Sequence, residues 1–244
     1  MAEWFEAWFN TPYYHKLYVE RDEQEAAAFI TKLIDYLKPE PGARMLDIAC
    51  GKGRHAKQLA DAGYDVTGID ISPDSITEAQ LLEHDQLRFY VHDMRLPFLI
   101  NYFQFAFNFF TSFGYFRTRR EHSNAIRTIA QSLQPGGKFL IDYLNTPYVA
   151  ERLVPAETKT IGTTVYGIKR WLADAHFYKE ITVTDPALPT PMTFTERVAA
   201  FSKEDLTGML NKHGLVVTDV FGDYLFNDWN EPHSPRLILI AEKQ

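Results

Sequence analysis

Residues 44–70, RMLDIACGKGRHAKQLADAGYDVTGID, limit the possible folds more than any other stretch. They read as a short apolar strand (Arg44–Ala49), a turn with glycines at 51 and 53, a helix through Ala56, Leu59 and Ala60 closed by Gly63, and a second strand (Asp65–Asp70). Strand, tight turn, helix, strand is a crossover unit, and parallel strands need such a crossover. The pattern then repeats. Ser72 and Pro73 open a helix as N-cap and first helical residue. Leu87–Val91 reads as a third strand and Phe103–Phe110 as a fourth, apolar enough to be buried on both faces. A helix over 119–133, a Pro135-Gly136-Gly137 turn and a fifth strand (Lys138–Leu144) follow.

After residue 145 the rhythm changes. Thr163–Leu172, Phe177–Thr184 and Met192–Phe201 read as strands without intervening helices. Ala173-Asp174-Ala175 turns the first pair, and a Pro-rich DPALPTP segment joins the second. Ser202 and Asp205 resemble a capping box opening a last helix. Leu215–Phe221 and Leu237–Glu242 close the chain. The expected fold is α/β: a Rossmann-like, doubly wound, seven-stranded sheet, mostly parallel with an antiparallel last strand, plus a small antiparallel β insertion after strand 5. Three parts are expected: an N-terminal helical lid (1–43), a nucleotide-binding domain (44–145 and 202–244), and the insertion (146–201), a candidate acceptor wall or dimer contact.

The glycine turn has two chemical readings. Glycine lets a ligand approach the backbone and leaves N–H groups free at a helix start. Gly51, Gly53 and Ala56 fit the dinucleotide pattern G-x-G-x-x-[GA], which would suit a nicotinamide oxidoreductase. Asp47 argues otherwise. A carboxylate beside the turn is a poor neighbour for a pyrophosphate and a good one for an ammonium. Asp70, ending the second strand, suits the two hydroxyls of a ribose.

The string LDIACGKG, an acid ending the second strand, Asp93 closing the third, and LQPGG at 133–137 occur in order. Together they resemble the class I S-adenosylmethionine-dependent methyltransferases, strongly over 44–144 and more loosely over 202–242. The segment Ser112–Tyr115 (SFGY) is similar to one in small-molecule enzymes of that family such as bacterial sugar N-methyltransferases. The resemblance implies S-adenosyl-L-methionine as cofactor and roles for particular residues. Asp47 would face the methionine ammonium, and amides around Ala49, Gly51 and Gly53 the methionine part. Asp70 would hold the ribose hydroxyls, with Ile71 on the adenine. Asp93 and the Met94 amide would read the adenine edge, and Phe109 would lie near the sulfonium. Each has a plainer alternative: Asp47 and Asp70 as helix caps, Asp93 as a turn aspartate, Phe109 as core.

Methyl transfer from a sulfonium is an in-line displacement in which alignment carries much of the rate. Acceptor residues should come from loops at the carboxyl ends of the strands. Candidates are Tyr13 and Tyr14 from the lid, with Tyr14 also reaching the cofactor, Phe113 and Tyr115 after the fourth strand, Tyr143 and Asn145 at the fifth, and the loop 222–236. His233 in that loop is a candidate general base, with a surface histidine as the alternative. Asp142 and Asn145 were weighed as metal ligands, but no second acid follows at suitable spacing, so no metal is expected.

Composition narrows partners. The net charge is −7, so no nucleic-acid partner is expected. Cys50 is the only cysteine, which suits a reducing compartment. No apolar run approaches the roughly 20 residues needed to span a bilayer, and the expected location is cytoplasmic. The expected activity is methyl transfer to a small molecule. The alternatives left open are a non-catalytic S-adenosylmethionine sensor or scaffold and, further off, a nicotinamide enzyme.

Overall fold

The computed structural model describes residues 8–18 and 23–244; Trp4 and Phe5 of the aromatic N-terminal stretch lie outside the described residues. Two helices come first, α1 (Pro12–Tyr18) and α2 (Glu23–Leu37). The crossover units follow as β1 (Arg44–Ile48), α3 (Arg54–Asp61), β2 (Asp65–Asp70), α4 (Pro73–Ala79), β3 (Leu87–Val91), β4 (Phe103–Asn108), α5 (Arg119–Ser132) and β5 (Leu133–Leu144). A short helix α6 (Thr146–Glu151) leads into β6 (Ala156–Ile161), β7 (Thr164–Ala173), β8 (His176–Thr184) and β9 (Met192–Ala199). The chain ends with α7 (Lys203–Lys212), β10 (Leu215–Phe221) and β11 (Arg236–Lys243).

The large sheet has seven strands in the order β10-β11-β5-β4-β1-β2-β3. Its pairings are parallel except that β11 lies antiparallel between β5 and β10. That is the doubly wound sheet the alternation predicts. Successive strand residues point to opposite faces, so β1 feeds two cores. Leu46 and Ile48 pack with Ile126 and Ile129 of α5 and Leu206 and Leu210 of α7 on one face. Met45 packs with Phe29 and Leu33 of α2 and Leu59 of α3 on the other. The expected lid therefore divides: α2 belongs to the sheet's core, whereas α1 does not.

Helix starts follow local chemistry. Ser72 accepts from the Ser75 amide ahead of Pro73, and Ser202 and Asp205 form the reciprocal capping box read from sequence. Thr118 and Glu121 form another, at α5.

Three details differ from the sequence reading. Strand β5 begins at Leu133, because Pro135-Gly136-Gly137 is an irregularity inside the strand: the register with β4 shifts between Phe103 and Phe105. The stretch 146–160, where the sequence shows no regular pattern, holds α6 and β6, so the insertion is a four-stranded antiparallel sheet, β6-β7-β8-β9. The β7–β8 turn places Asp174 and Ala175 at φ 49° and 55°, the left-handed pair that a two-residue hairpin requires. Third, α1 joins the insertion. Trp8 and Leu17 share a small core with Tyr166, Ile168, Ile181 and Val183. No described helix is long and apolar enough to cross a membrane.

Candidate active site

The carboxyl ends of β1, β2, β3 and β4 open into a cavity of about 370 Å³. One end of it is built from the crossover turns. Asp47 lies within β1, is 1% exposed, and lines the cavity. Its Oδ2 is buried with no hydrogen-bond partner. Burial, and secondarily the charge of Asp70, push its carboxyl up to about 7. Natural structures rarely leave a buried carboxylate oxygen unpaired unless a ligand completes it.

Asp70 is the hinge of this end. Its Oδ2 accepts from the Gly51 amide and its Oδ1 from the Ser72 amide, both at 2.8 Å. It thereby ties the glycine turn to the start of α4. Burial raises its carboxyl above the usual range, against the pull of those amides. Each oxygen keeps a lone pair for a further donor, which is what a vicinal diol needs.

The two glycines do different work. Gly51 (φ 55°) lines the cavity, and the space a Cβ would take there is open, so the backbone is accessible. Gly53 (φ 80°) is not among the cavity-lining residues; its amide donates to the Cys50 carbonyl. A Cβ on Gly53 would stand 2.4 Å from Cζ of Phe89. The missing side chain at this residue allows close packing between α3 and β3. Gly53→Ala is expected to destabilise the fold by about 1–3 kcal/mol through overpacking and an unfavourable φ. A thermal melt unchanged from the parent would refute that account.

Ala49, Ile71, Asp93, Met94 and Phe109 all line the cavity, as do Tyr14 and Tyr115. Asp93 is not an idle acceptor. Arg95 grips both its oxygens, with Nε at 3.1 and 2.9 Å and Nη2 at 2.7 Å, and reaches Glu121 at 3.2 Å. His233 is exposed on the β10–β11 loop and is not among the lining residues. The structure therefore does not bring the candidate base to the cavity. Asp142, weighed as a metal ligand, is fully buried and pairs with Arg236. Among the described residues no group of three His, Cys, Asp or Glu side chains gathers as a metal site.

The other end of the cavity was only partly foreseen. Phe9 and Tyr18 from the N-terminal segment and Glu196 from β9 stand beside Tyr14, Ser112 and Tyr115. Phe9 packs on Tyr14 (4.9 Å between centroids) and edge-on to Tyr115 (5.6 Å). Glu196 Oε1 accepts from the Trp8 indole at 2.8 Å and the Tyr18 hydroxyl at 2.7 Å; Lys179 Nζ lies 3.9 Å from Oε2. Glu196 had a sequence signal. Met192, Phe194, Glu196 and Val198 alternate onto one face of β9, and Glu196 is the one charge among them.

Comparison with known proteins follows this geometry. The family model described as a methyltransferase domain matches residues 18–220. The chain belongs to that family. It is an S-adenosylmethionine-dependent methyltransferase. A curated relative, the dTDP-3-amino-3,4,6-trideoxy-alpha-D-glucopyranose N,N-dimethyltransferase of Streptomyces venezuelae, is 28% identical over 175 residues, 68% of this methyltransferase and 71% of the relative. Other curated relatives are matched over half their own length or less. Among solved structures, an S-adenosylmethionine-dependent methyltransferase from Clostridium acetobutylicum superposes with a TM-score of 0.79 at 17% identity, covering 95% of this chain and 96% of the other. An amino pentose methyltransferase from Micromonospora echinaspora, solved with S-adenosylmethionine bound, gives 0.69 at 19%, covering 100% and 98%. At these identities the solved structures speak to the fold.

The cavity fits the methyl donor. The unpaired Asp47 oxygen suits an ammonium, the two Asp70 oxygens suit a diol, and the open Gly51 backbone admits a close ligand.

Proposed function

We propose that this methyltransferase moves the methyl group to the amine nitrogen of a small molecule. The observation that carries the reading is the far end of the cavity: aromatic rings from Phe9, Tyr14, Tyr18 and Tyr115 with the Glu196 carboxylate among them. Aromatic rings together with one carboxylate suit a group that is cationic when it binds. The amino-sugar relative is named as an N,N-dimethyltransferase, which supports the same nitrogen chemistry. The net charge of −7 favours a small molecule over a nucleic acid.

The donor supplies an activated methyl on sulfur. The chain's residues do the rest. In this reading Asp47, Asp70 and Asp93 hold the donor, and Ile71, Met94 and Phe109, which also line the cavity, flank it and exclude water. Tyr14, Tyr115 and Glu196 bring the acceptor to the opposite side. The bound ammonium first gives up a proton to Glu196 or solvent; the neutral nitrogen then takes the methyl carbon as the carbon–sulfur bond breaks, and the electron pair stays on sulfur. Once neutral, an aliphatic amine needs no further base for this, only alignment.

A panel of primary and secondary amines, including amino sugars, assayed with S-adenosylmethionine tests the proposal. Methylated amine and S-adenosylhomocysteine should form in equal amounts. Glu196→Gln should raise the acceptor KM about tenfold or more while leaving donor affinity near the parent value, because one charge-assisted contact is lost. Donor binding with methyl transfer only to hydroxyl or carbon acceptors would overturn it.

A further inference from the structure

Asp142 is fully buried, Arg236 is largely covered with its side chain 19% exposed, and neither lines the cavity. Asp142 lies on β5 and Arg236 opens β11, which pairs with it. Arg236 Nε and Nη2 lie 2.8 and 2.7 Å from Asp142 Oδ1. The other oxygen, Oδ2, accepts from the Phe110 amide at 2.7 Å and from the Tyr224 hydroxyl at 3.0 Å. The Asp142 backbone carbonyl accepts from the Thr111 amide at 3.0 Å, and Arg236 Nη2 donates to Thr111 Oγ1 at 2.7 Å.

Three of these bonds end on two consecutive residues after β4, and the others hold Asp142 in place to make them. Phe110 and Thr111 have φ of 54° and 58°. Left-handed backbone is uncommon for any residue but glycine and rarer still for a β-branched one. Such residues persist where surrounding contacts over-determine them, and they gather at active sites. Their neighbours are the cavity: Phe109, Phe110 and Ser112 line it, and Tyr115 follows three residues later.

We propose that Asp142 and Arg236, assisted by Tyr224, are positioning residues: they clamp Phe110 and Thr111 in left-handed backbone and so fix the cavity wall formed by the post-β4 loop. The inference rests on methyl transfer as the activity. It assigns the pair no contact with donor or acceptor. The carboxylates assigned to the donor stand at the ends of β1–β3, separated from β5 and β11 by β4. Of the clamped wall only Phe109 flanks the donor, so the clamp governs alignment for transfer first and donor affinity only modestly. A misplacement of about 1 Å can cost about a hundredfold in rate.

The test pairs the double variant Asp142→Leu with Arg236→Met against Tyr224→Phe. Replacing both members of a buried ion pair with apolar residues commonly preserves folding, whereas removing one strands the other charge. The double variant should bind S-adenosylhomocysteine within about threefold of the parent by calorimetry. Its kcat should fall about a hundredfold. Hydrogen exchange at the Phe110 and Thr111 amides should accelerate by a similar factor, because their acceptor is gone or displaced. Tyr224→Phe, which removes one bond of the network, should fold normally and lose about threefold to tenfold in kcat with donor affinity unchanged. Parent-like kcat in a folded double variant would overturn the proposal, as would a kcat loss with both amides still protected. If the parent itself methylates nothing in the panel, the function above fails, while the exchange measurement still judges the clamp. If the double variant does not fold, Tyr224→Phe decides by the same readouts, and parent-like kcat and exchange in it overturn the clamp.

Discussion

Asp70→Ala is expected to weaken S-adenosylhomocysteine binding by at least a hundredfold, on the order of 3 kcal/mol. Two losses combine. On the proposed reading the carboxylate accepts from both ribose hydroxyls, and in the structure it anchors the Gly51 and Ser72 amides at 2.8 Å each. Without it the glycine turn loses its tie to α4, so the cradle loosens as its contact disappears. Asp70→Asn should fall between the two, since an amide keeps one acceptor oxygen but turns a donor toward one of the backbone N–H groups. Calorimetry with the product nucleoside reads this without an acceptor. A loss smaller than tenfold in the alanine variant would show that Asp70 is only a helix cap.

Asp47 should make the ligand-free protein less stable as pH rises. Its carboxyl is raised to about 7, whereas a carboxyl in an unfolded chain titrates near 4. Stability is therefore greatest while the group is protonated, below about pH 4. The cost of ionising it in place sets in above that and is complete above pH 7. Three units correspond to about 4 kcal/mol, with the nearby charge of Asp70 sharing in the effect. Asp47→Asn removes this cost, so the variant should match the parent near pH 4 and exceed it at pH 8 in denaturant melts without ligand. Ligand affinity should run the other way. The parent should bind an amino-acid-bearing nucleoside more tightly as pH rises from about 6 to 7.5, where the carboxylate forms and an α-amino group is still cationic. Asp47→Asn should lose both the affinity and its slope. Parallel pH profiles in parent and variant would remove Asp47 from the ammonium site.

The donor end was legible because it is local. Asp47, Gly51, Asp70, Asp93 and Met94 fall within one pair of crossover units, and strand–turn–helix chemistry alone carries them to one sheet edge. The parallel order and the antiparallel β11 followed from alternation and from the two closing strands. The acceptor end was less legible. Glu196 meets Trp8 and Tyr18 across 188 and 178 residues of chain, and no periodicity reports contacts at that separation. His233 looked chemical by type but sits on an exposed turn. Gly53 fitted a motif for ligand approach, whereas its neighbour is the Phe89 ring. The Pro135-Gly136-Gly137 signal marked a shift in register and not the start of a strand.

The small core shared by α1 and the four-stranded insertion has a consequence for how specificity can be exchanged. On the proposed reading the donor is held by one continuous stretch, whereas the acceptor end joins the N-terminal segment to β9, more than 170 residues later. Trp8 and Tyr18 bond to Glu196, the Tyr166 hydroxyl donates to the Tyr13 carbonyl, and Lys16 reaches Thr164. A chimera that grafts a foreign insertion alone would meet an N-terminal segment shaped for a different sheet. Because the two segments pack and bond to one another, transplanting a new acceptor preference onto this scaffold is expected to need both moved together.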